Sequence, residues 1–259
     1  MNNSKILSIG ALDSSGGAGL NQDIRISALL KREISVCQTG ITLQSVRGVE
    51  FIHPTSLLFL EKQLLYTLRK NPPRWIKIGA LCDIKQVHLL CGLLPQNPSY
   101  KIVLDSVLSP TLGLPLINTC DIAAYRELLQ ITNFVAPNYP ELSSLAQMPI
   151  QDFESAIDAA KSLAQKHSLG VLLKGGHDSE DTIREAFVAP DELHIFEKAR
   201  KKWSYSHGTG CALSMAFTCF LADSLSPRDA FEKASNLISD IYDKWNGIDS
   251  QDHPQKLDQ

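Results

Sequence analysis

The chain has 259 residues, of which 44% are hydrophobic and 20% are charged, and its formal net charge is -3 at pH 7. This composition is typical of a folded globular protein and excludes the disordered class, which contains far fewer apolar residues. It also argues against a nucleic-acid partner, because the one basic run, within residues 198–202, is too short to follow a phosphate backbone.

No apolar stretch reaches the length of a transmembrane helix, and the first residues lead into a strand-like segment rather than a signal peptide. We therefore expect a cytoplasmic protein with no membrane partner. The length suits one α/β domain, and no Gly/Ser-rich linker divides the chain. We expect a single domain over residues 1–259, in which about residues 247–259 form a polar tail.

Short apolar runs alternate with longer helical patterns, which predicts strands and helices in alternation. The predicted strands are residues 5–10, 36–43, 75–79, 101–105, 134–136, 170–174 and 185–188, with a hairpin-like segment at 194–199. The predicted helices are residues 18–31, 55–69, 84–94, a segment near 121, and residues 152–167, 210–222 and 226–245. Apolar strands between helices indicate an α/β fold with three α/β/α layers, in which helices cover both faces of a mostly parallel central sheet.

A loop of small residues, Asp13-Ser-Ser-Gly-Gly-Ala-Gly19, follows the first predicted strand and enters a helix. Ligands of open parallel sheets bind beyond the carboxyl ends of the strands, and small residues there let a ligand approach the backbone. The loop is not a Walker A sequence, because no Gly-Lys-Ser/Thr follows, and it does not match G-x-G-x-x-G. Taken alone, it is equally consistent with a tight strand-to-helix connection.

A second segment, Gly208-Thr209-Gly210-Cys211, stands where a predicted helix begins and its first amide groups are unpaired. Such a helix start attracts anions and can stabilise a phosphoryl group during transfer. Cys211 lies in the first turn, where the helix dipole favours a thiolate, and we expect it to accept the proton of an attacking hydroxyl. The alternative is a buried cysteine beside glycines that serve packing.

Polar groups also follow three further strands. Lys174 can present a compact positive charge to a phosphate, or it can be an ordinary lysine at a turn. Asn138 and Glu141 offer the oxygen ligands that Mg²⁺ prefers, although both also suit the first turn of a helix. Asp105 adds a carboxylate at the same edge. The coincidence of these groups predicts a phosphoryl-transfer site.

In this order the segments resemble the ribokinase-like superfamily and, within it, the hydroxymethylpyrimidine and phosphomethylpyrimidine kinases. The resemblance spans nearly the whole chain. It is carried by residues 13–19 with Asp23, by Gln44, and by residues 77–79, 135–138 with Glu141, 173–177 and 207–211.

The resemblance implies a kinase that uses ATP and Mg²⁺. Residues 208–210 then match the family's anion hole, and Cys211 matches its catalytic base. Lys174 would contact ATP phosphate, together with Gly208 and Gly210, and would take part in catalysis with Thr209. Asn138 and Glu141 match the magnesium sequence Asn-x-x-Glu, with Asp105 as a further metal candidate and Asn138 also as a nucleotide contact.

The resemblance also implies the acceptor, a hydroxymethylpyrimidine or its monophosphate in thiamine biosynthesis. Gln44 matches the side chain that hydrogen-bonds the pyrimidine. The remaining candidates for substrate binding are Asp13, Gly17, Asp23 and Ala80. Members of the family usually form homodimers.

Several residues near the expected acceptor depart from the family pattern: Leu43, Ser45, Ala80 and Ser106. Ala80 stands where the family usually has a methionine, which leaves more room above the ring. A pyridoxal or pyridoxine kinase of the same superfamily is therefore the alternative, and a ligand sensor without turnover is a third reading. A dehydrogenase is disfavoured, because Gln44 stands where an acidic residue would end the second strand.

Overall fold

The computed structural model describes residues 5–45, 48–94, 99–108, 113–117, 121–176, 181–201, 203 and 206–247. The expected polar tail beyond residue 247 lies outside these residues, as does His177 of the quoted segment 173–177. In the part of the chain that is described, no helix is both long and apolar enough to cross a bilayer.

One nine-stranded sheet runs through the described chain, in the order β3-β2-β1-β4-β5-β6-β7-β8-β9. Its strands are β1 (Ile6–Asp13), β2 (Ile34–Ser45), β3 (Gly48–Pro54), β4 (Trp75–Ile78), β5 (Lys101–Leu104), β6 (Phe134–Val135), β7 (Gly170–Leu173), β8 (Thr182–Ala189) and β9 (Glu192–Ala199). Strands β2, β1, β4, β5, β6 and β7 are parallel in that order, whereas β3, β8 and β9 join the two edges antiparallel.

The helices follow the strands in the expected alternation. They are α1 (Gly19–Leu29), α2 (Leu57–Lys70), α3 (Ile84–Leu93), α4 (Ile122–Tyr125), α5 (Tyr139–Ala146), α6 (Phe153–His167), α7 (Thr209–Ala222) and α8 (Pro227–Gly247), with a 3-10 helix at Arg126–Gln130.

Helices cover both faces of the sheet, because the central strands are apolar on both sides. In β5, Ile102 and Leu104 lie in the core with α2, α3, α5 and α6, whereas Val103 lies in the core with α1, α7 and α8. Successive side chains of a strand point to opposite faces, so a continuous apolar run indicates burial on both faces. The predicted three-layer α/β/α architecture is confirmed.

Among the strands and α-helices of the described chain, two elements were absent from the prediction. Strand β3 pairs antiparallel with β2 at the edge of the sheet, and its Phe51 is 55% exposed, opposite Leu43 at 52%. Its mixed burial gives no clear apolar run, so the sequence pattern does not reveal it. Helix α5 has eight residues, which is too short for a helical period to stand out.

Candidate functional site

Predicted site residues meet at one edge of the sheet. The residues that end or follow parallel strands there are Asp13 in β1, Ala80 after β4, Asp105 after β5, Asn138 after β6 and Lys174 after β7. The carboxyl ends of parallel strands share an edge, and this is where ligands bind in open α/β sheets. The topology therefore brings together residues that lie far apart in the sequence.

Asp13 organises the small-residue loop after β1. Its carboxylate accepts hydrogen bonds from the amides of Ser15 at 2.8 Å, Gly17 at 3.1 Å and Ala18 at 2.8 Å. It also pairs with His207 Nε2 at 3.1 Å, which ties the loop to the segment before α7. Burial raises the pKa of Asp13, but the hydrogen bonds from His207 and Ser15 outweigh it and hold the pKa below its ordinary value.

The expected substrate contact by Asp13 needs correction. The residue is 2% exposed, and both of its carboxylate oxygens are engaged within the protein. Asp13 therefore shapes the loop that faces the ligand, and the amide of the buried Gly17 donates one of the hydrogen bonds that Asp13 accepts.

The two glycine-rich segments touch each other. Gly208, the residue before α7, has a φ of 81°, and a Cβ there would lie 1.9 Å from the carbonyl oxygen of Gly17. Only glycine suits both this left-handed backbone and this close approach. In the described chain no side chain caps α7, so no side chain competes with an anion for the amides at its start, although the Thr209 amide donates to the Ser206 carbonyl oxygen at 3.4 Å.

Lys174 lies beside that helix start. A Cβ built on Gly210 would be 3.4 Å from Lys174 Nζ, so the ammonium group is close to the first turn of α7. Helix amides and a lysine at one point form a site of positive potential, which suits phosphate oxygens. Thr209 and Gly210 are the first two residues of this helix, which begins one residue before its predicted start at Gly210.

A row of five charged side chains runs beneath α7, with acids and bases in alternation: Asp23, Lys77, Asp105, Lys174 and Glu141, of which all but the half-buried Lys174 are buried. Lys77 Nζ is 2.9 Å from Asp23 Oδ1 and 3.7 Å from Asp105 Oδ2. Lys174 Nζ is 3.2 Å from Asp105 Oδ1 and 3.4 Å from Glu141 Oε2. In formal charges, three carboxylates face two ammonium groups.

Burial and pairing act in opposite directions on these groups. Burial lowers the pKa of both lysines, but their carboxylate partners outweigh it, so the pKa values of Lys77 and Lys174 are raised. For Asp105, burial raises the pKa, but Lys174 and Lys77 together hold it below its ordinary value. Burial dominates at Asp23 and Glu141, whose pKa values are raised.

The thiolate expected at Cys211 is wrong for this structure. Burial raises the pKa of Cys211 to about 12, and the nearby Asp105 carboxylate raises it further, although Lys77 opposes both. The side chain is therefore a neutral thiol at pH 7. Its position in the first turn of α7 does not offset the loss of water, because the residue is only 9% exposed.

Asp23 was expected to contact the substrate, but it lies in the interior. The residue is 0% exposed, and its carboxylate accepts hydrogen bonds from Ser8 Oγ at 2.6 Å and from Lys77 Nζ at 2.9 Å. Those contacts place Asp23 below the site, where it pairs with Lys77. Lys77 belongs to the segments that carried the resemblance, but no role was predicted for it.

Gln44 and Ala80 stand near the small-residue loop and a small apolar cluster. The backbone amide of Gln44 donates to Ser14 Oγ at 3.4 Å, and its side-chain amide donates to Thr42 Oγ1 at 3.0 Å. The cluster contains Ala11, Ala80, Cys82 and Leu116, with Ile52 and Val107 packed against it. Small side chains at this edge suit the flat face of a heterocycle.

Asn138 and Glu141 form the helix cap that the sequence analysis left as an alternative. Asn138 Oδ1 accepts a hydrogen bond from the Glu141 amide at 2.9 Å, and Glu141 Oε2 accepts one from the Asn138 amide at 2.8 Å. The Asn138 side-chain oxygen thus caps α5, and its assignment as a metal ligand stays a prediction. Glu141 also receives a hydrogen bond from Ser106 Oγ at 3.3 Å, so it faces both the cap and the site.

The remaining acidic groups fit a hydrated magnesium ion. Asp105 Oδ2 is buried and has no hydrogen-bond partner among the described residues. No three side chains of His, Cys, Asp or Glu type in the described chain converge enough to hold a metal on their own. Mg²⁺ keeps several waters and uses one or two carboxylates beside substrate phosphates, so Asp105 and Glu141 are a sufficient protein contribution.

The chain resembles known proteins over most of its length. The sequence pattern of proteins described as phosphomethylpyrimidine kinase matches residues 13–255. The hydroxymethylpyrimidine/phosphomethylpyrimidine kinase of Bacillus subtilis is 27% identical over 252 residues, which cover 96% of this chain and 93% of that protein.

A longer relative and a solved structure are also similar to this chain. The thiamine biosynthesis multifunctional protein of Corynebacterium glutamicum is 31% identical over 238 residues, which cover 91% of this chain but only 31% of that protein. The chain therefore spans about a third of that longer relative. The pyridoxal kinase from Staphylococcus aureus in complex with AMP-PCP has a TM-score of 0.82 at 24% identity, covering 91% of this chain and 87% of its own, which shows a shared fold.

Proposed function

Because this chain belongs to the phosphomethylpyrimidine kinase family, we propose that it phosphorylates 4-amino-5-hydroxymethyl-2-methylpyrimidine, its monophosphate, or both, for thiamine biosynthesis. ATP is the phosphoryl donor. One observation carries the proposal: Lys174 Nζ lies beside the uncapped start of α7 and within 3.4 Å of both Asp105 and Glu141. Lys174 thus links the helix start that can bind phosphate to the two carboxylates that can bind a cation.

The start of α7 supports the transfer step. The amides from Gly208 to Gly210 and the Lys174 ammonium group are fixed before substrate arrives, so they stabilise charge on the moving phosphoryl group without reorganising. Catalysis of phosphoryl transfer depends mainly on such positioning and electrostatic stabilisation.

Asp105 and Glu141 would hold magnesium together with water. The cation would supply positive charge to the β- and γ-phosphate oxygens. Lys174 favours the ionised form of both carboxylates, because it contacts both, and at Asp105 this holds the pKa below its ordinary value. Asn138 supports this arrangement by capping α5 at the turn that carries Glu141.

Cys211 is proposed as the acceptor of the hydroxyl proton. It lies in the first turn of α7, close enough to Asp105 and Lys77 for both charges to act on its thiol. Lys77 favours the thiolate, so its charge beneath the site supports this role. Because the thiol is neutral at pH 7, only the thiolate fraction can accept this proton, so Cys211 must first release its own proton to solvent.

The acceptor ring is proposed to lie between Gln44, the loop at Gly17, and the apolar cluster that contains Ala80. A pyridoxine-type acceptor is the second candidate, because Ala11 and Ala80 give this cluster small side chains and leave room for a substituted ring. The ratio of kcat/KM for hydroxymethylpyrimidine to that for pyridoxine separates the two.

A homodimer is proposed from the exposed apolar side chains of one region. Hairpin β2-β3 and helix α2 expose Leu43, Phe51, Leu58, Phe59 and Tyr66, each more than half exposed. Apolar surface of this kind usually marks an interaction site. Light scattering should give the mass of two chains for the wild type and of one chain for Phe59→Glu; a monomeric wild type would contradict this part.

A cytoplasmic location is also proposed, since ATP supplies the phosphoryl group and the described cysteines are free thiols.

The activity itself is tested by incubating the protein with ATP, Mg²⁺ and a panel of hydroxymethyl heterocycles, with products detected by mass spectrometry. We expect one or two phosphate additions to the pyrimidine. Binding without ATP consumption would favour a sensor, and a strong preference for pyridoxine would favour the second candidate.

A further inference from the structure

A buried tyrosine of α8 holds the backbone just before the start of α7. Tyr242 is 0% exposed, and its hydroxyl group donates a hydrogen bond to the carbonyl oxygen of His207 at 2.7 Å. The oxygen of the same hydroxyl group accepts a hydrogen bond from Gln22 Nε2 in α1 at 2.9 Å. A phenylalanine would fill the same space but could make neither bond. The hydroxyl group therefore connects α1 and α8 to the segment that precedes the proposed phosphate site.

The direction of the tyrosine proton is fixed by the residues around it. Arg25 Nη1 donates to Gln22 Oε1 at 3.0 Å, so the amide group of Gln22 turns its NH₂ side towards Tyr242. Because Gln22 donates to the tyrosine oxygen, the tyrosine proton is left for the carbonyl oxygen of His207. The ring of Tyr242 is packed against Trp245, with 5.0 Å between the ring centroids. The hydroxyl group is therefore held in position as well as in direction.

The bond to His207 acts on the Gly208 amide through the peptide plane. The carbonyl group of His207 and the N–H group of Gly208 belong to one planar trans peptide, in which they point in opposite directions. A donor that fixes the carbonyl oxygen therefore also fixes the direction of the N–H. Among the described residues this amide has no acceptor, and it stands directly before Thr209, the first residue of α7. It is thus available to a phosphate oxygen.

This support matters because Gly208 is a glycine. Glycine restricts its own backbone less than any other residue, so the peptide plane before it can rotate unless a partner holds it. His207 is held twice: its Nε2 contacts Asp13 Oδ2 at 3.1 Å, and its carbonyl oxygen accepts the bond from Tyr242. Electrostatic stabilisation of a transition state requires donors that are oriented before the charge develops.

We propose that Tyr242 is a positioning residue for phosphoryl transfer: by holding the carbonyl oxygen of His207, it aims the Gly208 amide at the transferring phosphoryl group. The inference rests on the proposed function, because the task of this amide is defined by that reaction. Tyr242 acts through the backbone of His207 rather than on the reacting atoms. Helix α8 thereby contributes to catalysis from the side of α7 that faces the protein interior.

The test compares the wild type, Tyr242→Phe and a matched control, Thr218→Val. Thr218 is also 0% exposed, and its hydroxyl group donates to the Ser214 carbonyl oxygen at 2.7 Å, but this bond lies away from the start of α7. Steady-state kinetics with ATP and the pyrimidine give kcat and both KM values. We expect Tyr242→Phe to lower kcat about tenfold, because a misdirected amide weakens stabilisation of the transition state. Both KM values should stay close to those of the wild type.

The melting temperature separates positioning from stability. Each variant loses a hydrogen bond from a buried hydroxyl group to a carbonyl oxygen, so both should melt below the wild type. Only Tyr242→Phe should lose kcat. A wild-type kcat in Tyr242→Phe overturns the inference, as does an equal fall of kcat in Thr218→Val. A wild type that phosphorylates no hydroxymethyl heterocycle overturns the proposed function and the inference with it, so the two failures are distinguishable.

Discussion

The ammonium group of Lys77 lies 2.9 Å from Asp23 Oδ1 and 3.0 Å from Asp23 Oδ2, and each side chain is 1% exposed. Such a pair is costly to bury and costly to break, because removal of one partner leaves the other charged without compensation. The pair joins β4 to α1 directly beneath the proposed site. It therefore links the stability of the fold to the charges that act on Cys211.

Lys77→Met should lower the free energy of unfolding by about 3–5 kcal/mol, since it strands Asp23 in the interior. The double variant Lys77→Met/Asp23→Leu should recover a large part of that loss, because no unpaired charge remains. Urea denaturation of the wild type, both single variants and the double variant measures the coupling. Single-variant losses that simply add would show that the two residues do not stabilise each other.

Lys174→Ala should lower kcat by about 10²- to 10³-fold and raise the KM for ATP, because a fixed charge at the transferring phosphate is lost. Steady-state kinetics with the pyrimidine acceptor provide the measurement. Lys166→Ala is the control, since Lys166 is exposed in the last turn of α6. Equal kinetic effects in the two variants would remove Lys174 from the phosphate site.

Cys211→Ala should lower kcat by about 10²-fold, the usual contribution of a proton acceptor. If Cys211 accepts the proton with a pKa of about 12, kcat/KM of the wild type should rise with pH between about 7 and 9, as the thiolate fraction grows. Cys211→Ala should lack this rise. Turnover that is unchanged, or an identical pH profile in the variant, would assign the proton to another group.

Asp13→Asn tests the loop that Asp13 organises. The folded pKa of Asp13 lies below its ordinary value of 3.8, so the ionised carboxylate stabilises the fold above that pH. This contribution is lost as the pH falls through the lowered folded pKa. The variant should therefore be less stable than the wild type at pH 6, and the difference should shrink on acidification.

Urea denaturation from about pH 6 to pH 3 follows this difference. Asp158→Asn on the exposed surface of α6 is the control and should show little difference from the wild type at any pH. A constant gap between Asp13→Asn and the wild type across the range would mean that the carboxylate charge does not contribute.

The layered fold was predictable because the central strands consist mainly of apolar residues, which indicates burial on both faces. Runs such as Ile102 to Leu104 and Val171 to Leu173 contain only apolar residues, which is the signature of a strand covered on both sides. The edge strand β3 and the short helix α5 lack such a pattern. Their formation depends on partners elsewhere in the chain, namely β2 and the cap at Asn138.

The sequence predicted which residues lie at the site, but not the burial and protonation state of each side chain. Strand ends and glycines revealed Lys174, Asp105 and Gly208, since their position along the chain fixes the edge of the sheet at which they lie. How deeply each side chain would be buried depends on tertiary packing. For that reason the position of Cys211 at a helix start did not reveal that its thiol is neutral. The charged Lys77 within the otherwise apolar strand Trp75–Ile78 was a usable signal for a buried charge near the site.

Gly208 lies so close to the carbonyl oxygen of Gly17 that the loop after β1 and the segment before α7 pack directly against each other. A displacement of one by its ligand must be transmitted to the other. The affinities for nucleotide and for heterocycle should consequently depend on each other, and by the same factor in both directions, as thermodynamic linkage requires. Saturation with the nucleotide should therefore change the dissociation constant of the heterocycle, and saturation with the heterocycle should change that of the nucleotide.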